Sequence, residues 1–279
     1  MTAFPADQIP VYYINLASRP DRRQFMQEQF ARLGIVAERV DAATIADVGE
    51  DRMAPHIDPR NPWAMARVEV ACVMSHEKAW RAMLDAGQDY AVILEDDAVM
   101  SDGMKAFLDP DFSNGLRPEL VKLETVGERV RLGRTVRRVA PRFGVHQLLA
   151  SHMGAGAYII SASMARRALA DPRLLRMSVD RYLFTRDGPI IPHRRLYQVD
   201  PAPVVQLEFY RGDKPAGAEH SDLKRDRDGH QAGAARPLSH RWRDTLSRIA
   251  YTLRLVMHIL PDPVARRQKR RQVPFAGDL

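Results

Sequence analysis

VYYINLASRPDRRQFMQEQFARLGIVAERV, residues 11–40, changes its hydrophobic period twice. Val11 to Leu16 is a short run rich in β-branched and aromatic residues, which reads as a strand. Ser18-Arg-Pro-Asp21 follows, with an acid three residues after the serine and proline in the first turn, a helix-start pattern. Phe25, Met26, Phe30 and Leu33 recur at helical spacing until Gly34. Ile35 to Val40 then reads as a second strand. Strand, helix, strand in this order predicts an α/β fold with a parallel sheet, whose ligands bind outside the carboxyl ends of the strands.

Downstream, residues 41–66 hold several prolines and little periodicity, so a long loop is expected there. Val70, Val73, Met74, Trp80, Met83 and Leu84 predict a helix ending near Gly87. The strand Ala91-Val-Ile-Leu94 delivers Glu95-Asp96-Asp97 to its carboxyl end. Adjacent carboxylates raise one another's pKa and resist burial, so this cluster calls for a cation or a hydrogen-bond network. The bland alternative is a helix cap or a solvated acidic loop. Ser101 is placed to cap a short helix carrying Met104, Phe107 and Leu108. Leu120 to Glu124 reads as a strand, Val130 to Val139 as an arginine-studded hairpin turning at Gly133, and Tyr158-Ile-Ile160 as a strand before a helix through Arg167 and Leu169.

Several familiar chemistries are excluded by spacing. His76-Glu77 lacks the second histidine of HExxH, since Trp80 stands there, so zinc hydrolysis is rejected. Gly154-Ala-Gly156 has Ile159 where a Rossmann fingerprint needs glycine, and it precedes a strand; close backbone approach to a ligand or to the sheet is the remaining reading. His76 lies on the apolar side of its helix, where a hydrogen-bonded core histidine and a functional one are both open. Cys72 reads as a small buried hydrophobe, and no nucleophilic triad is visible.

The chain has 279 residues, 45% hydrophobic, with a formal charge of +7 and a single cysteine. No run of about 18 apolar residues is present to span a membrane, and no signal-peptide pattern opens the chain. A cytoplasmic location is expected. The basic excess suits anionic partners, but no aromatic stacking platform accompanies it, so nucleic acid is not expected. Residues 1–210 read as one domain and 211–240 as a flexible linker. In 241–279, Trp242, Leu246, Ile249, Leu253, Val256 and Leu260 form an apolar stripe, followed by the basic segment Arg266 to Arg271. This predicts an amphipathic helical extension lying on an anionic membrane surface, packing on the domain or pairing with another subunit; the inner face of the cytoplasmic membrane is favoured.

YINLASRPDRR, EVACVMSHEKAW, AVILEDD, VKLET, GAGAYIIS, VDRYLF and YQVDPAPVVQ occur in the order seen in glycosyltransferase family 25, and over residues 10 to 207 the sequence resembles its lipopolysaccharide and lipooligosaccharide transferases. The resemblance implies a GT-A-like nucleotide-sugar domain with a mixed, mostly parallel sheet. It also implies inverting transfer, of galactose in the best-known members, from a UDP-sugar to a lipid-linked oligosaccharide. Glu95-Asp96-Asp97 would stand in for the DxD motif, with Glu95 and Asp97 as ligands of Mn²⁺ or Mg²⁺, a choice that hard oxygen donors suit. Asn15, Arg19, Arg22 and Arg23 would face the nucleotide, Arg22 and Arg23 having ordinary surface arginines as their alternative. Ser75 and His76 would line the donor pocket, and Glu124, Gly154 and Gly156 the floor near the sugar. Glu124 could instead pair with a nearby arginine. Asp180 is the expected base, the alternative being a plain cap for the helix Arg181 to Phe184. A non-catalytic nucleotide-sugar or glycan-binding relative is the other function open to such a chain.

Overall fold

A computed structural model describes residues 3–58, 60–113, 115–188, 195–212, 253 and 269–279. In chain order the elements are β1 (Val11–Asn15), α1 (Pro20–Leu33), β2 (Ala37–Asp41), α2 (Glu50–Ile57), α3 (Arg67–Asp85), β3 (Tyr90–Glu95), β4 (Ala98–Met100), β5 (Leu120–Lys122) and β6 (Glu124–Thr125). They continue with β7 (Arg129–Val139), β8 (Phe143–Leu148), β9 (Ala157–Ser161), α4 (Ala162–Ala170), α5 (Val179–Phe184), β10 (Leu196–Asp200), β11 (Val204–Gln206) and β12 (Lys269–Gln272).

The expected β1-α1-β2 unit is present, and β1 lies parallel to both β2 and β3. Gly34 ends α1 in the left-handed region, φ 62°, where glycine carries no Cβ penalty. Ser18 does not cap this helix; Arg19 occupies the cap position with Pro20 at its start. The segment 41–66 is not all loop, since it contains α2, whose periodicity is too short and too interrupted by Pro55 to register in sequence.

Among the described residues, nine strands form one sheet in the order β12-β7-β8-β10-β5-β9-β3-β1-β2, and β4-β11-β6 form a second. The large sheet is mixed, but it is not mostly parallel. Among the described residues, beyond the two β1 pairings only β5 and β10 of this sheet run parallel; β3/β9, β5/β9, β8/β10, β7/β8 and β7/β12 are antiparallel. The β7 to β8 connection accounts for one of these pairs: it is too short to hold a crossover helix, so the chain must double back. The hairpin does not turn at Gly133. β7 runs through it with register shifts at that point, and the chain reverses after Val139, where Ala140 has φ 52°.

Alternate residues of the central strands enter two cores. Tyr12, Ile14, Ile93, Tyr158 and Ile160 pack with Trp80 and Met83 of α3 and with α4 and α5. Val11, Tyr13, Val92, Leu94 and Ile159 pack with Met26 and Phe30 of α1 and with Met104 and Phe107. A sheet covered on both faces explains why its strands are continuous apolar runs. It also leaves the carboxyl ends of β1 and β3 as the place for polar chemistry.

The predicted linker beyond residue 212 and the helix over 241–260, apart from Leu253, lie outside the described residues. The end of the basic segment is not helical: Lys269–Gln272 pairs antiparallel with β7, and Val273 and Phe275 are buried against the domain. Among the described residues no helix is long and apolar enough to cross a membrane.

Candidate active site

The parallel register sets Ile14 beside Glu95 and Asn15 beside Asp41, so β1 and β3 end together. Glu95-Asp96-Asp97 turns the chain out of β3, and each carboxylate meets a different environment. Asp96 accepts a hydrogen bond from Asn15 Nδ2 at 2.7 Å and from the Arg22 guanidinium at 3.3 Å. Glu95 is held by His76 Nε2 at 3.1 Å and by Gln206 Nε2 at 3.0 Å. Asp97 lies 3.5 Å from Arg22 through Oδ2, while its buried Oδ1 has no hydrogen-bond partner. Burial first, then the charge of Glu95, pushes the Asp97 carboxyl up to about 8. Burial likewise raises Asp96, against the opposing hydrogen bond from Asn15.

Two chambers meet over this turn. The smaller, about 140 Å³, is lined by Arg19, Arg22, Ser75, His76 and the three acids, together with apolar side chains from β1 and α3. The larger, about 330 Å³, shares Cys72, Glu95 and Asp97 with it and extends to Gly154, Asp180 and Gln206. Arg19 at the mouth of the smaller chamber is paired with Asp21 at 2.8 Å. The Ser75 hydroxyl is committed, donating to Ala71 O at 2.8 Å and accepting from Ala43 N at 2.8 Å, so it braces the wall. Arg23 is exposed and sits beside Tyr13 on the α1 side of the sheet, outside the lining of both chambers. One residue on a helix turns the side chain by about 100°, enough to separate Arg23 from Arg22.

The floor is a buried polar knot. Glu124 is wholly buried and accepts from Lys122 Nζ at 2.7 Å and Gly156 N at 2.9 Å. A Cβ on Gly156 would lie 2.6 Å from Gln206 Nε2 and 2.8 Å from Glu124 Oε2, so the close backbone approach expected of these glycines is toward the sheet and its side chains. Gly154, at φ 92°, donates its N–H to Asp180 Oδ2 at 3.3 Å. Asp180 Oδ1 accepts from Ser178 Oγ at 2.6 Å and Arg181 N at 2.7 Å. Asp180 is inside the first turn of α5 rather than at its cap, which is Ser178. Lys122 and Gln206 went unremarked in the sequence. Lys122 carried a signal, since it shares a strand face with Glu124 two residues on; Gln206 reaches Glu95 only through the β4–β11 pairing, which no local pattern announces.

The residues present fit a divalent cation. An orphaned buried carboxylate oxygen beside a second carboxylate is stabilised by positive charge, and oxygen donors suit Mn²⁺ or Mg²⁺. Cys72, His76 and Glu95 also bring one donor atom each within 4.8 Å of one another. Burial pushes the Cys72 thiol up, with Glu95 next in effect, which agrees with an inert thiol.

A family model described as Glycosyltransferase family 25 (LPS biosynthesis protein) matches residues 8–183. The chain is 28% identical over 235 residues to lacto-N-neotetraose biosynthesis glycosyltransferase LgtE of Neisseria gonorrhoeae, over 78% of this chain and 81% of that protein. It is 29% identical over 290 aligned residues to the LgtB protein of the same description from Neisseria meningitidis serogroup B, over 95% of this chain and 98% of that one. A bovine relative named "Probable inactive glycosyltransferase 25 family member 3" is 29% identical over 189 residues, 62% of this chain and 31% of its own length. With the family model covering more than half of its residues, this chain belongs to glycosyltransferase family 25.

Proposed function

We propose that the protein is an inverting, GT-A-like glycosyltransferase of surface-glycan assembly. It takes a sugar, galactose, from a UDP-sugar and passes it to a lipopolysaccharide or lipooligosaccharide acceptor at the inner face of the cytoplasmic membrane. The observation that carries this reading is the partnerless Oδ1 of Asp97, in a pocket shared with Glu95 and Arg22. Glu95 and Asp97 would hold Mn²⁺ or Mg²⁺. Bound there, the cation would supply charge stabilisation to the departing diphosphate.

The chain's own groups supply the rest. Arg22, already between Asp96 and Asp97, and Arg19 receive phosphate oxygens through charge-assisted hydrogen bonds. Asn15 and Asp96 fix each other at the end of β1. The acceptor occupies the larger chamber, where Asp180 takes the proton of the attacking hydroxyl. Its Oδ2 is suited to this, since the contact it makes with Gly154 N is long, 3.3 Å, and leaves a lone pair available.

Incubating the protein with UDP-galactose, Mn²⁺ and truncated lipooligosaccharides tests the proposal. Release of UDP with formation of a β-linked galactoside is expected. Transfer with retained anomeric configuration would contradict the inverting mechanism. Tight donor binding with no transfer to any acceptor would favour a non-catalytic role, the condition named for the bovine relative.

A further inference from the structure

Trp80 and Tyr158 are wholly buried, and their polar atoms converge on His76. Trp80 Nε1 lies 2.8 Å from the Tyr158 hydroxyl, that hydroxyl lies 2.8 Å from His76 Nδ1, and His76 Nε2 lies 3.1 Å from Glu95 Oε1. An indole nitrogen can only donate, so the Tyr158 oxygen accepts from Trp80. The phenolic hydrogen then needs its own acceptor, and His76 Nδ1 is the one in reach. The opposite direction would aim two donors at the Tyr158 oxygen and leave its hydrogen without a partner in a dry interior, a costly arrangement. If Nδ1 accepts, the imidazole hydrogen is on Nε2 and points at Glu95.

We infer that His76 is a positioning residue: Trp80 and Tyr158 lock its imidazole as the Nε2–H tautomer, and that hydrogen fixes the Glu95 carboxylate for the cation. Outer partners of this kind set the orientation and basicity of metal ligands. Gln206 completes the clamp on the other Glu95 oxygen. The same direction of hydrogen bonding removes His76 from the ligand set, although Cys72, His76 and Glu95 are close enough to suggest one. The nitrogen facing that cluster carries a hydrogen.

The consequence for cation binding rests on the metal reading of Glu95 and Asp97; the tautomer does not. Long-range ¹⁵N–¹H correlation spectra of the protein without added metal report the tautomer, with the His76 signals assigned by their loss in His76→Gln. Wild type is expected as Nε2–H, and Tyr158→Phe as a mixture of tautomers. An Nδ1–H or doubly protonated His76 in wild type would overturn the inference. Mn²⁺ binding followed by electron paramagnetic resonance is expected to weaken about 10–100-fold in Tyr158→Phe and His76→Leu. His76→Gln, whose amide can donate toward Glu95, should recover part of that loss. A folded His76→Leu protein with wild-type Mn²⁺ affinity would overturn the positioning role. Wild type that binds no Mn²⁺ yet shows the Nε2–H form would sink the metal reading, and the positioning role with it, while leaving the tautomer lock standing.

Discussion

Lys122 is a charged side chain with no exposure. Its ammonium meets Glu124 at 2.7 Å, the Gly154 carbonyl and the Phe184 ring, 4.5 Å from the centroid. Removing one member of a buried pair strands the other, so Lys122→Met is expected to cost roughly 3–5 kcal/mol of stability. Lys122→Met combined with Glu124→Leu should recover much of it, as read from urea midpoints; a double variant as unstable as the sum of the single ones would contradict the pairing. The crowding of Glu95 to Asp97 at a strand end and the arginines after the first strand stand out in the sequence itself, whereas Asn15, Asp180 and the two glycines enter as site residues only through the family resemblance. That Oδ1 of Asp97 would be left without a hydrogen-bond partner is not legible in the sequence, because it depends on where Arg22 and Gln206 arrive from other elements.

β12 shows what short-range patterns miss. An apolar stripe followed by arginines favours a helix, yet the end of that basic segment pairs with β7 because β7 otherwise presents an open ladder edge. Within it, Arg271 pairs with Asp200; beyond it, Thr125 Oγ1 donates to Val273 O at 2.7 Å. Ending the chain at residue 268 would expose β7 and lose the burial of Val273 and Phe275, each worth roughly 1.5–3 kcal/mol. A drop of roughly 3 kcal/mol or more in unfolding free energy is therefore expected by urea denaturation, and an unchanged midpoint would show that the tail is dispensable to the fold. At Gly133, similarly, a glycine between two arginine-rich runs suggests a turn, whereas the sheet uses it as an irregularity within one long strand.

For the whole molecule, the parallel half was legible because β1, α1 and β2 are consecutive. The antiparallel half was not, since β10 sits between β8 and β5 through pairings that are distant in sequence. That interior governs the response to acid. Burial first, then the charge of Lys122, pushes His152 from 6.5 down to about 3, and burial also lowers His56 and His146. Between these values the unfolded chain binds a proton that folded His152 refuses, so its contribution to stability falls as pH drops through that window. The slope is up to about 1.4 kcal/mol per pH unit for this group. His152→Gln is expected to lose that part of the acid sensitivity in urea midpoints measured from neutral pH downward; parallel curves for variant and wild type would contradict it.

At the same scale, the central claim is that the turn after β3 gathers a nucleotide sugar through a cation. Isothermal titration of UDP and UDP-galactose, with and without Mn²⁺, into wild type and Asp97→Ala tests it most directly. The account predicts Mn²⁺-dependent binding to wild type and its loss in the variant. No binding by well-folded wild type, or equal binding by Asp97→Ala, would contradict it.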